Sequence, residues 1–147
     1  PHNFGAIVRS AAACGAHAVV YGKDRAAPLS PVSLKSAAGA MEYVDLVKAT
    51  NLVRVIDRMK EQGFWIASLE ADGPQNLWDA DLTGRVGLII GSEGKGVRRL
   101  VREHSDLLLR IPLTGPISSL NASVSAGVAL AECLRQRHHA AKTAQRD

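Results

Sequence analysis

A continuous apolar run at residues 86–90, Val-Gly-Leu-Ile-Ile, constrains the fold of this chain more than any other feature. Such a run, without a polar interruption, is typical of a parallel strand that is covered on both faces. Parallel strands are joined by crossover connections, commonly helices, and stretches with helical spacing occur on both sides of the run. We therefore predict an α/β domain with a mainly parallel sheet, in which ligands bind at the carboxyl ends of the strands.

Apolar periodicity predicts the remaining elements. Asn3 is a candidate N-cap for the first helix, which Gly15 ends, and Gly63 ends the second. The stretch 72–76 is predicted to be a loop, and 138–147 a frayed tail. The full prediction has strands at 17–21, 43–47, 64–69, 86–90 and 107–111, helices at 5–14, 52–59, 97–104 and 120–137, and a short helical piece at 34–38.

Length and composition limit the class of protein. A chain of 147 residues with 46% hydrophobic side chains predicts one globular domain, 1–147, with one core. No apolar run approaches the roughly 20 residues that span a bilayer, so we expect no membrane segment. Cys14 and Cys133 lack disulfide or metal spacing, and the five histidines lack ligand spacing. We therefore expect a reduced, cytoplasmic protein without a metal.

The charge of the chain permits a polyanionic partner without identifying one. The net charge is +4 and the isoelectric point about 9.4, which suits nucleic acid as well as a solvated basic surface. The basic segment at 95–102 has the same two interpretations. With 4% aromatic residues, Trp65 and Trp78 are expected to pack rather than to stack on bases. No strand precedes residue 1, so we expect the chain to begin inside a longer domain.

The first segment that could carry chemistry is 3–11, where Arg9 interrupts a small and apolar helix. A surface arginine on an amphipathic helix is the simpler interpretation of Arg9 taken alone. The functional alternative is a guanidinium that binds a phosphate through two parallel hydrogen bonds. Asn3 lies six residues earlier, near the same helix start.

The second segment, 91–96, follows the buried strand and reads Gly-Ser-Glu-Gly-Lys-Gly. The order of its glycines matches neither the phosphate loop GxxxxGK[ST] nor the dinucleotide fingerprint GxGxxG, which argues against ATP and NAD. Glycines at Gly91 and Gly96 allow a close approach of the backbone to a ligand, with Glu93 among them. A turn that carries a charge at a helix start explains the same residues.

The third segment, 111–125, runs from a strand end through a Pro/Gly turn into a helix. Its polar residues exceed what helix capping needs, since one cap suffices. We therefore predict a binding site that the backbone of Ile111, Leu113 and Leu120 lines. The small polar residues at this helix start are Ser118, Ser119, Asn121 and Ser123.

Together the segments form three ordered motifs: Asn3-x-x-Ala6-x-x-Arg9, then Gly91-Ser92-Glu93-Gly94-x-Gly96, then Ile111-Pro112-x-x-Gly115-x-x-x-Ser119-Leu120-Asn121-x-Ser123. In order and spacing they resemble the three motifs of the SpoU (TrmH) family of RNA 2'-O-ribose methyltransferases, in the SPOUT superfamily. The similarity covers essentially the whole chain. Stretches at 23–25, 102–104 and 135–137 are most similar to the branch that methylates a guanosine of 23S ribosomal RNA.

The resemblance implies a fold, a cofactor and an assembly. It implies an α/β-knot domain with a C-terminal trefoil knot, a homodimer with the active site at the subunit interface, and RNA as the substrate. It also implies a small RNA-binding domain and a first strand before residue 1. S-adenosylmethionine would be held mainly through backbone atoms of Gly91, Ile111, Leu113, Ser119 and Leu120.

The resemblance further implies the catalytic residues. Arg9 would bind the phosphate next to the reacting 2'-hydroxyl and polarise that hydroxyl, and a role as general base stays open. Glu93 would orient Arg9 or accept a hydrogen bond across the dimer. Asn3, Asn121 and Ser123 would position ribose and cofactor. Two other functions fit less of the pattern: a transfer-RNA 2'-O-methyltransferase of the same family, and a non-catalytic RNA-binding domain.

Overall fold

The computed structural model describes residues 2–22, 35, 37, 39–92 and 96–147. The chain divides into two units, 1–52 and 53–147, which are described separately below. Each unit has its own cluster of buried side chains, where the composition predicted one core. No helix in the described part of the chain is long and apolar enough to cross a membrane.

The first unit consists of a helix, two paired strands and a short turn. Its elements are α1 (His2–Ala13), β1 (Ala18–Gly22), a 3₁₀ turn (Ala40–Glu42) and β2 (Asp45–Ala49). Because α1 already begins at His2, Asn3 lies inside its first turn, and the predicted N-cap role of Asn3 is wrong. Gly15, two residues after the end of α1, adopts a φ of 78°, a left-handed conformation that is typical of a helix stop.

The core of the first unit packs α1 against the strands. Strands β1 and β2 run parallel, with Ala18 opposite Asp45. Val8 of α1 and Val44, just before β2, are buried together. The β2 strand starts two residues later than predicted, because residues 40–42 form the 3₁₀ turn. Of the predicted helical piece at 34–38, only residues 35 and 37 belong to the described part of the chain, and both are helical.

The second unit alternates strands and helices. α2 (Leu52–Glu61) begins at the last residue of the first unit and ends before Gly63, whose φ is 87°. The elements that follow are β3 (Trp65–Leu69), β4 (Gln75–Asn76), a 3₁₀ turn (Leu77–Asp79), β5 (Val86–Ile89), α3 (Arg99–Glu103), β6 (Leu107–Arg110) and α4 (Ala122–Arg146).

The four strands of the second unit form a parallel sheet in the order β4-β6-β3-β5. This sheet and the β1–β2 pair confirm the predicted α/β class with parallel strands. The predicted buried strand is β5, but β5 lies at one end of this sheet and is only half-buried. The central strand β3 is the buried one, with Ile66, Ala67 and Ser68 all inaccessible to solvent. β4, predicted as loop, is a two-residue strand that pairs with β6.

Helix α4 covers one face of this sheet and is longer than predicted. Ala129 and Cys133 of α4 are buried against Ala67 and Leu109 of the sheet. Gln136 accepts a hydrogen bond from the backbone N–H of Leu82 at 2.8 Å. The predicted frayed tail at 138–147 is wrong, since the helix continues to Arg146. This stretch contains three alanines and no Gly or Pro, so no residue in it breaks the helix.

Polar contacts hold α2 and α3 at the amino-terminal edge of the sheet. Asp106, just before β6, accepts a hydrogen bond from the backbone N–H of Ile66 at 2.8 Å and lies 3.5 Å from Lys60 of α2. His104, at the end of α3, contacts Asp57 of α2 at 2.8 Å. These contacts lie at the edge opposite the carboxyl ends of the strands, where the candidate segments begin.

Candidate functional site

Three parallel strands of the second unit end at one edge of its sheet. β3 lies between β5 and β6, and all three run in the same direction. The segments that follow these strands therefore start from the same edge, where open α/β sheets bind ligands. The candidate site residues that follow the three strand ends are Glu70 after β3, Gly91 after β5 and Ile111 after β6.

The glycine at position 91 is required by a close approach of the chain to itself. A Cβ on Gly91 would lie 2.4 Å from the carbonyl carbon of Gly96 and 2.6 Å from the nitrogen of Val97. The N–H of Gly96 donates a hydrogen bond to the carbonyl of Ser92 at 2.9 Å, which closes the loop. The sequence predicted that the backbone at Gly91 lies close to a ligand. Where a side chain of Gly91 would lie, the close neighbour is the backbone of Gly96 and Val97. Glu93 lies outside the described residues.

The segment after β6 leaves its backbone available. Residues 111–120 form no helix or strand, and 113–120 are exposed. Within the described part of the chain, residues 112–120 make no hydrogen bond. Ile111 is half-buried and packs against the core of the second unit, while Leu113 and Leu120 are exposed. The segment therefore presents a run of N–H and C=O groups with no hydrogen-bond partner among the residues that the structure describes.

Asn121 caps α4 at the end of that segment. Its side-chain oxygen accepts hydrogen bonds from the N–H of Ser123 at 2.9 Å and of Val124 at 3.4 Å. The hydroxyl of Ser123 donates to the same oxygen at 2.6 Å. The structure thus brings Asn121 and Ser123 together, as a cap at the helix start.

The other serines of the third motif precede the helix. The prediction that α4 opens at 120 is wrong by two residues, because Ala122 is its first residue. Ser118 and Ser119 are exposed in the irregular segment. Their hydroxyls therefore belong to the segment with free backbone groups, not to the first turn of α4.

Arg9 and Asn3 both lie on α1 of the first unit. Six residues along a helix correspond to a rotation of roughly 600°, so the two side chains leave α1 about 120° apart. Arg9 is exposed, and its side chain makes no hydrogen bond or ion pair within the described residues. Asn3 is half-buried. The helix therefore does not put the two side chains on one face.

A cavity of about 420 Å³ opens beside Arg9, and the sequence pattern did not indicate its other two polar lining residues. Glu42 and Tyr43 belong to the 3₁₀ turn and the residue after it, and they line the cavity with Arg9. Gly39, with a φ of 81°, starts this turn. Gly39 alone could have indicated this turn from the sequence. The apolar pattern instead predicted a strand that includes Tyr43. The remaining lining residues are Ala12, Ala13, Ala37, Gly39 and Ala40.

Glu70 is a second residue that the sequence pattern did not indicate. It follows β3, and one of its carboxylate oxygens, Oε2, lies 3.8 Å from a guanidinium nitrogen of Arg102. Its other oxygen, Oε1, is buried without a hydrogen-bond partner among the residues described. A buried carboxylate oxygen of this kind can accept a hydrogen bond from a ligand at the carboxyl edge of the sheet.

The basic segment at 95–102 is partly neutralised by acids of the same unit. Arg99 pairs with Glu103 at 3.1 Å along α3, and Arg102 lies near Glu70. Lys95 is outside the described residues. In the part of the chain that the structure describes, no three His, Cys, Asp or Glu side chains are grouped so that they could hold a metal ion.

Comparison with known proteins decides which family has this arrangement of motifs. The model of the SpoU rRNA Methylase family matches residues 1–131. The chain belongs to the SpoU rRNA methylase family.

This SpoU chain is 47% identical over 137 residues to the 23S rRNA (guanosine-2'-O-)-methyltransferase RlmB of Pseudomonas putida, covering 93% of the chain and 55% of that protein. It is also 47% identical to RlmB of Escherichia coli K12, over 93% of the chain and 56% of that protein. The chain thus spans little more than half the length of these curated relatives.

Solved structures of SpoU proteins share the fold. The SpoU methyltransferase AviRb from Streptomyces viridochromogenes, solved with the cofactor AdoMet, superposes with a TM-score of 0.89 at 30% identity, covering 95% of the chain and 57% of that structure. The Aquifex aeolicus TrmH/SpoU tRNA modifying enzyme has a TM-score of 0.86 at 30% identity, covering 95% and 71%. The α/β fold of the SpoU family is confirmed, and the trefoil knot stays a prediction.

Proposed function

We propose that this SpoU chain is the catalytic domain of an enzyme that transfers a methyl group from S-adenosylmethionine to a ribose 2'-hydroxyl of RNA. The proposed substrate is a guanosine of 23S ribosomal RNA, the substrate named for the curated relatives. Ribosomal RNA as substrate implies that the enzyme acts in the cytoplasm.

The observation that carries this proposal is the backbone of residues 112–120, which makes no hydrogen bond to any described part of the chain. It lies between the carboxyl end of β6 and the capped start of α4, at the sheet edge that ligands favour. A cofactor that is held mainly by main-chain atoms requires N–H and C=O groups without other partners. In a helix or a sheet those N–H and C=O groups would be hydrogen-bonded to other backbone groups. The segment therefore fits S-adenosylmethionine in the way that the family motif implies.

Residues of two segments would hold the cofactor. Ile111, Leu113, Ser119 and Leu120 would bind it through the backbone, and the exposed apolar side chains of Leu113 and Leu120 would cover its apolar parts. Gly91 would hold the neighbouring loop against the sheet edge, because a side chain there cannot fit. When bound, S-adenosylmethionine supplies an electrophilic methyl group on a sulfonium, so the protein mainly has to orient the attacking hydroxyl.

Arg9 would bind the phosphate beside the reacting ribose. Its guanidinium remains protonated at neutral pH and presents several donors in one plane, which suits two phosphate oxygens. The same cation would polarise the 2'-hydroxyl and help it to lose its proton. The absence of an internal partner for Arg9 among the described residues supports this role, because no ion pair has to break when RNA binds.

The remaining motif residues would position the cofactor segment, the ribose and Arg9. Asn121 and Ser123 would fix the start of α4 and, with it, the end of the cofactor segment. Asn3 would contact the ribose from α1. Glu93 would orient Arg9 or accept a hydrogen bond across the dimer.

A homodimer with the active site at the subunit interface is part of the proposal. Exposed apolar side chains concentrate in and after the cofactor segment, at Leu113, Ile117, Leu120 and Val124. Apolar side chains grouped in this way are typical of a surface that another protein covers. A second copy on this surface would also shield the cofactor segment from water.

A transfer RNA substrate is the second candidate function. Similarity to the Aquifex aeolicus tRNA modifying enzyme favours it, although the identity to that protein is lower than to the ribosomal RNA enzymes. The two candidates differ in the RNA that carries the methyl group and share every residue role given above.

Two measurements test the proposal. Calorimetric titration of the chain with S-adenosylmethionine should give saturable binding, and its absence would favour a non-catalytic RNA-binding domain. Mass-spectrometric mapping of ribose methylation in cells that lack the gene should then reveal one unmethylated guanosine in 23S ribosomal RNA. A loss confined to transfer RNA would replace the first candidate by the second.

A further inference from the structure

The cavity beside Arg9 is lined by small residues and by three polar side chains. The small residues, here called the floor, are alanines and one glycine from α1 and from the segment that ends in the 3₁₀ turn, and the polar side chains, here called the walls, are Arg9, Glu42 and Tyr43. Its volume of about 420 Å³ lies in the range of sites that hold small organic molecules, roughly 300–1,000 Å³. A planar ring can lie against such a floor without meeting a long side chain.

All three wall side chains are available to a ligand. Within the described residues, none of the side chains of Arg9, Glu42 and Tyr43 makes a hydrogen bond or ion pair. Tyr43 is 79% exposed, which makes it the most exposed large hydrophobic side chain in the described part of the chain. An aromatic ring in this position loses contact with water only when a partner covers it.

The chemistry of the three walls matches one nucleotide. An aromatic face stacks on any base, so Tyr43 supplies affinity without selectivity. A carboxylate only accepts hydrogen bonds, and its two oxygens match two adjacent donors. Guanine presents such a pair, N1–H and the N2 amino group, on its Watson–Crick edge. Adenine and cytosine place an acceptor beside their amino group, and uracil flanks its N–H with two carbonyls.

We propose that the cavity lined by Arg9, Glu42 and Tyr43 binds the guanine base of the substrate RNA, with Glu42 accepting hydrogen bonds from N1–H and N2–H and Tyr43 stacking on the ring. The inference rests on the proposed function, because it takes the phosphate of that nucleotide to lie on Arg9. Glu42 is then the residue that determines base specificity, and Tyr43 a binding residue that tolerates every base.

Mononucleotides test the cavity without knowledge of the RNA sequence. The 3'-monophosphates of guanosine, inosine and adenosine, here called GMP, IMP and AMP, carry their phosphate beside the 2'-hydroxyl, and their binding to the full chain is measured by NMR titration of backbone amides. IMP differs from GMP only by the missing N2 amino group. We expect GMP to bind about tenfold more tightly than IMP or AMP, with shifts at residues 39–43. Glu42→Gln should abolish the preference for GMP over IMP, whereas Glu61→Gln, the same change at an exposed site outside the cavity, should keep it.

Variants of Tyr43 test the second contact. Tyr43→Ala should weaken GMP and AMP alike, by about tenfold, and Tyr43→Phe should restore both. A preference for GMP that survives Glu42→Gln overturns the inference. So does a complete lack of GMP binding at millimolar concentration, or amide shifts confined to the second unit.

The outcome is independent of the test of the proposed function. A chain that binds S-adenosylmethionine but does not distinguish GMP from IMP keeps the proposed methyl transfer and loses the base site. A chain that selects GMP through Glu42 but does not bind S-adenosylmethionine keeps the base site and loses the proposed function.

Discussion

The hydroxyl of Ser123 donates a hydrogen bond to the side-chain oxygen of Asn121 at 2.6 Å, so two residues expected to contact ribose and cofactor are bound to each other. The same oxygen accepts two backbone N–H groups of the first turn of α4. Asn121 therefore determines where α4 begins and where the free backbone of 112–120 ends. We therefore expect Asn121 to act on the proposed cofactor site through the position of that segment.

Asn121→Ala should lower the free energy of unfolding by about 1 kcal/mol, because the first turn of α4 loses its cap. Asn121→Asp retains an acceptor oxygen and should stay close to the wild type. Urea denaturation measures both, and calorimetry should show weaker cofactor binding for the alanine variant alone. Equal stability of the two variants would contradict the capping role.

Gly91→Ala should destabilise the protein by about 1–3 kcal/mol, since the added Cβ would lie 2.4 Å from the backbone of Gly96. Gly84→Ala is the matched control, because a Cβ at Gly84 meets nothing within 4 Å. Urea denaturation of the two variants compares them directly. If Gly91→Ala is as stable as Gly84→Ala, the close approach of the two backbone segments is not present in solution.

Arg9→Ala should retain binding of S-adenosylmethionine and lose methyl transfer to RNA, because the cofactor segment belongs to the second unit and Arg9 to the first. Arg58→Ala removes the same charge from an exposed position on α2 and should keep most of the activity. Calorimetry measures the first quantity and incorporation of labelled methyl groups into ribosomal RNA the second. Unchanged transfer by Arg9→Ala would refute the phosphate role.

Glu132 should make stability depend on pH in the acid range. Its hydrogen bond with Arg135 lowers the pKa of this carboxyl, which is 7% exposed on α4. Because the pKa of Glu132 is lowered in the folded state, its ionised carboxylate contributes fully to the free energy of unfolding above the pKa of an unfolded glutamate. This contribution to stability is lost as the pH falls through the lowered pKa of the folded protein. Urea denaturation at decreasing pH should therefore show a smaller loss of stability for Glu132→Gln than for the wild type. The exposed Glu61→Gln should follow the wild type, and the same profile for all three proteins would argue against the effect.

Ile117→Asp should convert the proposed homodimer into a monomer, because Ile117 is 69% exposed in the apolar surface of the cofactor segment. A charge there would be buried without a partner in the dimer. Leu100→Asp provides a control of similar exposure, 58%, on α3. Sedimentation equilibrium measures the mass of each protein. A dimer that persists in Ile117→Asp would exclude this surface as the interface.

Most elements could be predicted from local pattern. The apolar run at 86–90 is a strand at Val86–Ile89, and Gly15 and Gly63 end helices with left-handed backbone. Such features depend on neighbouring residues alone. β4 could not be found in this way, because a two-residue strand without apolar alternation exists only through its pairing with β6. The position of β5 at one end of the sheet order likewise depends on which strands pair.

The sequence by itself determined the order of the three motifs and, through them, the family and the residues that carry the proposed chemistry. Tertiary structure alone decided what those residues contact. It put Glu42 and Tyr43 beside Arg9, more than 30 positions away along the chain, and closed Gly96 onto Gly91. Among the described residues, it also left a buried Glu70 oxygen and the backbone of 112–120 without a hydrogen-bond partner. The reason is physical: a motif specifies residue types at fixed spacing, whereas a cavity or a free backbone group depends on how distant segments pack.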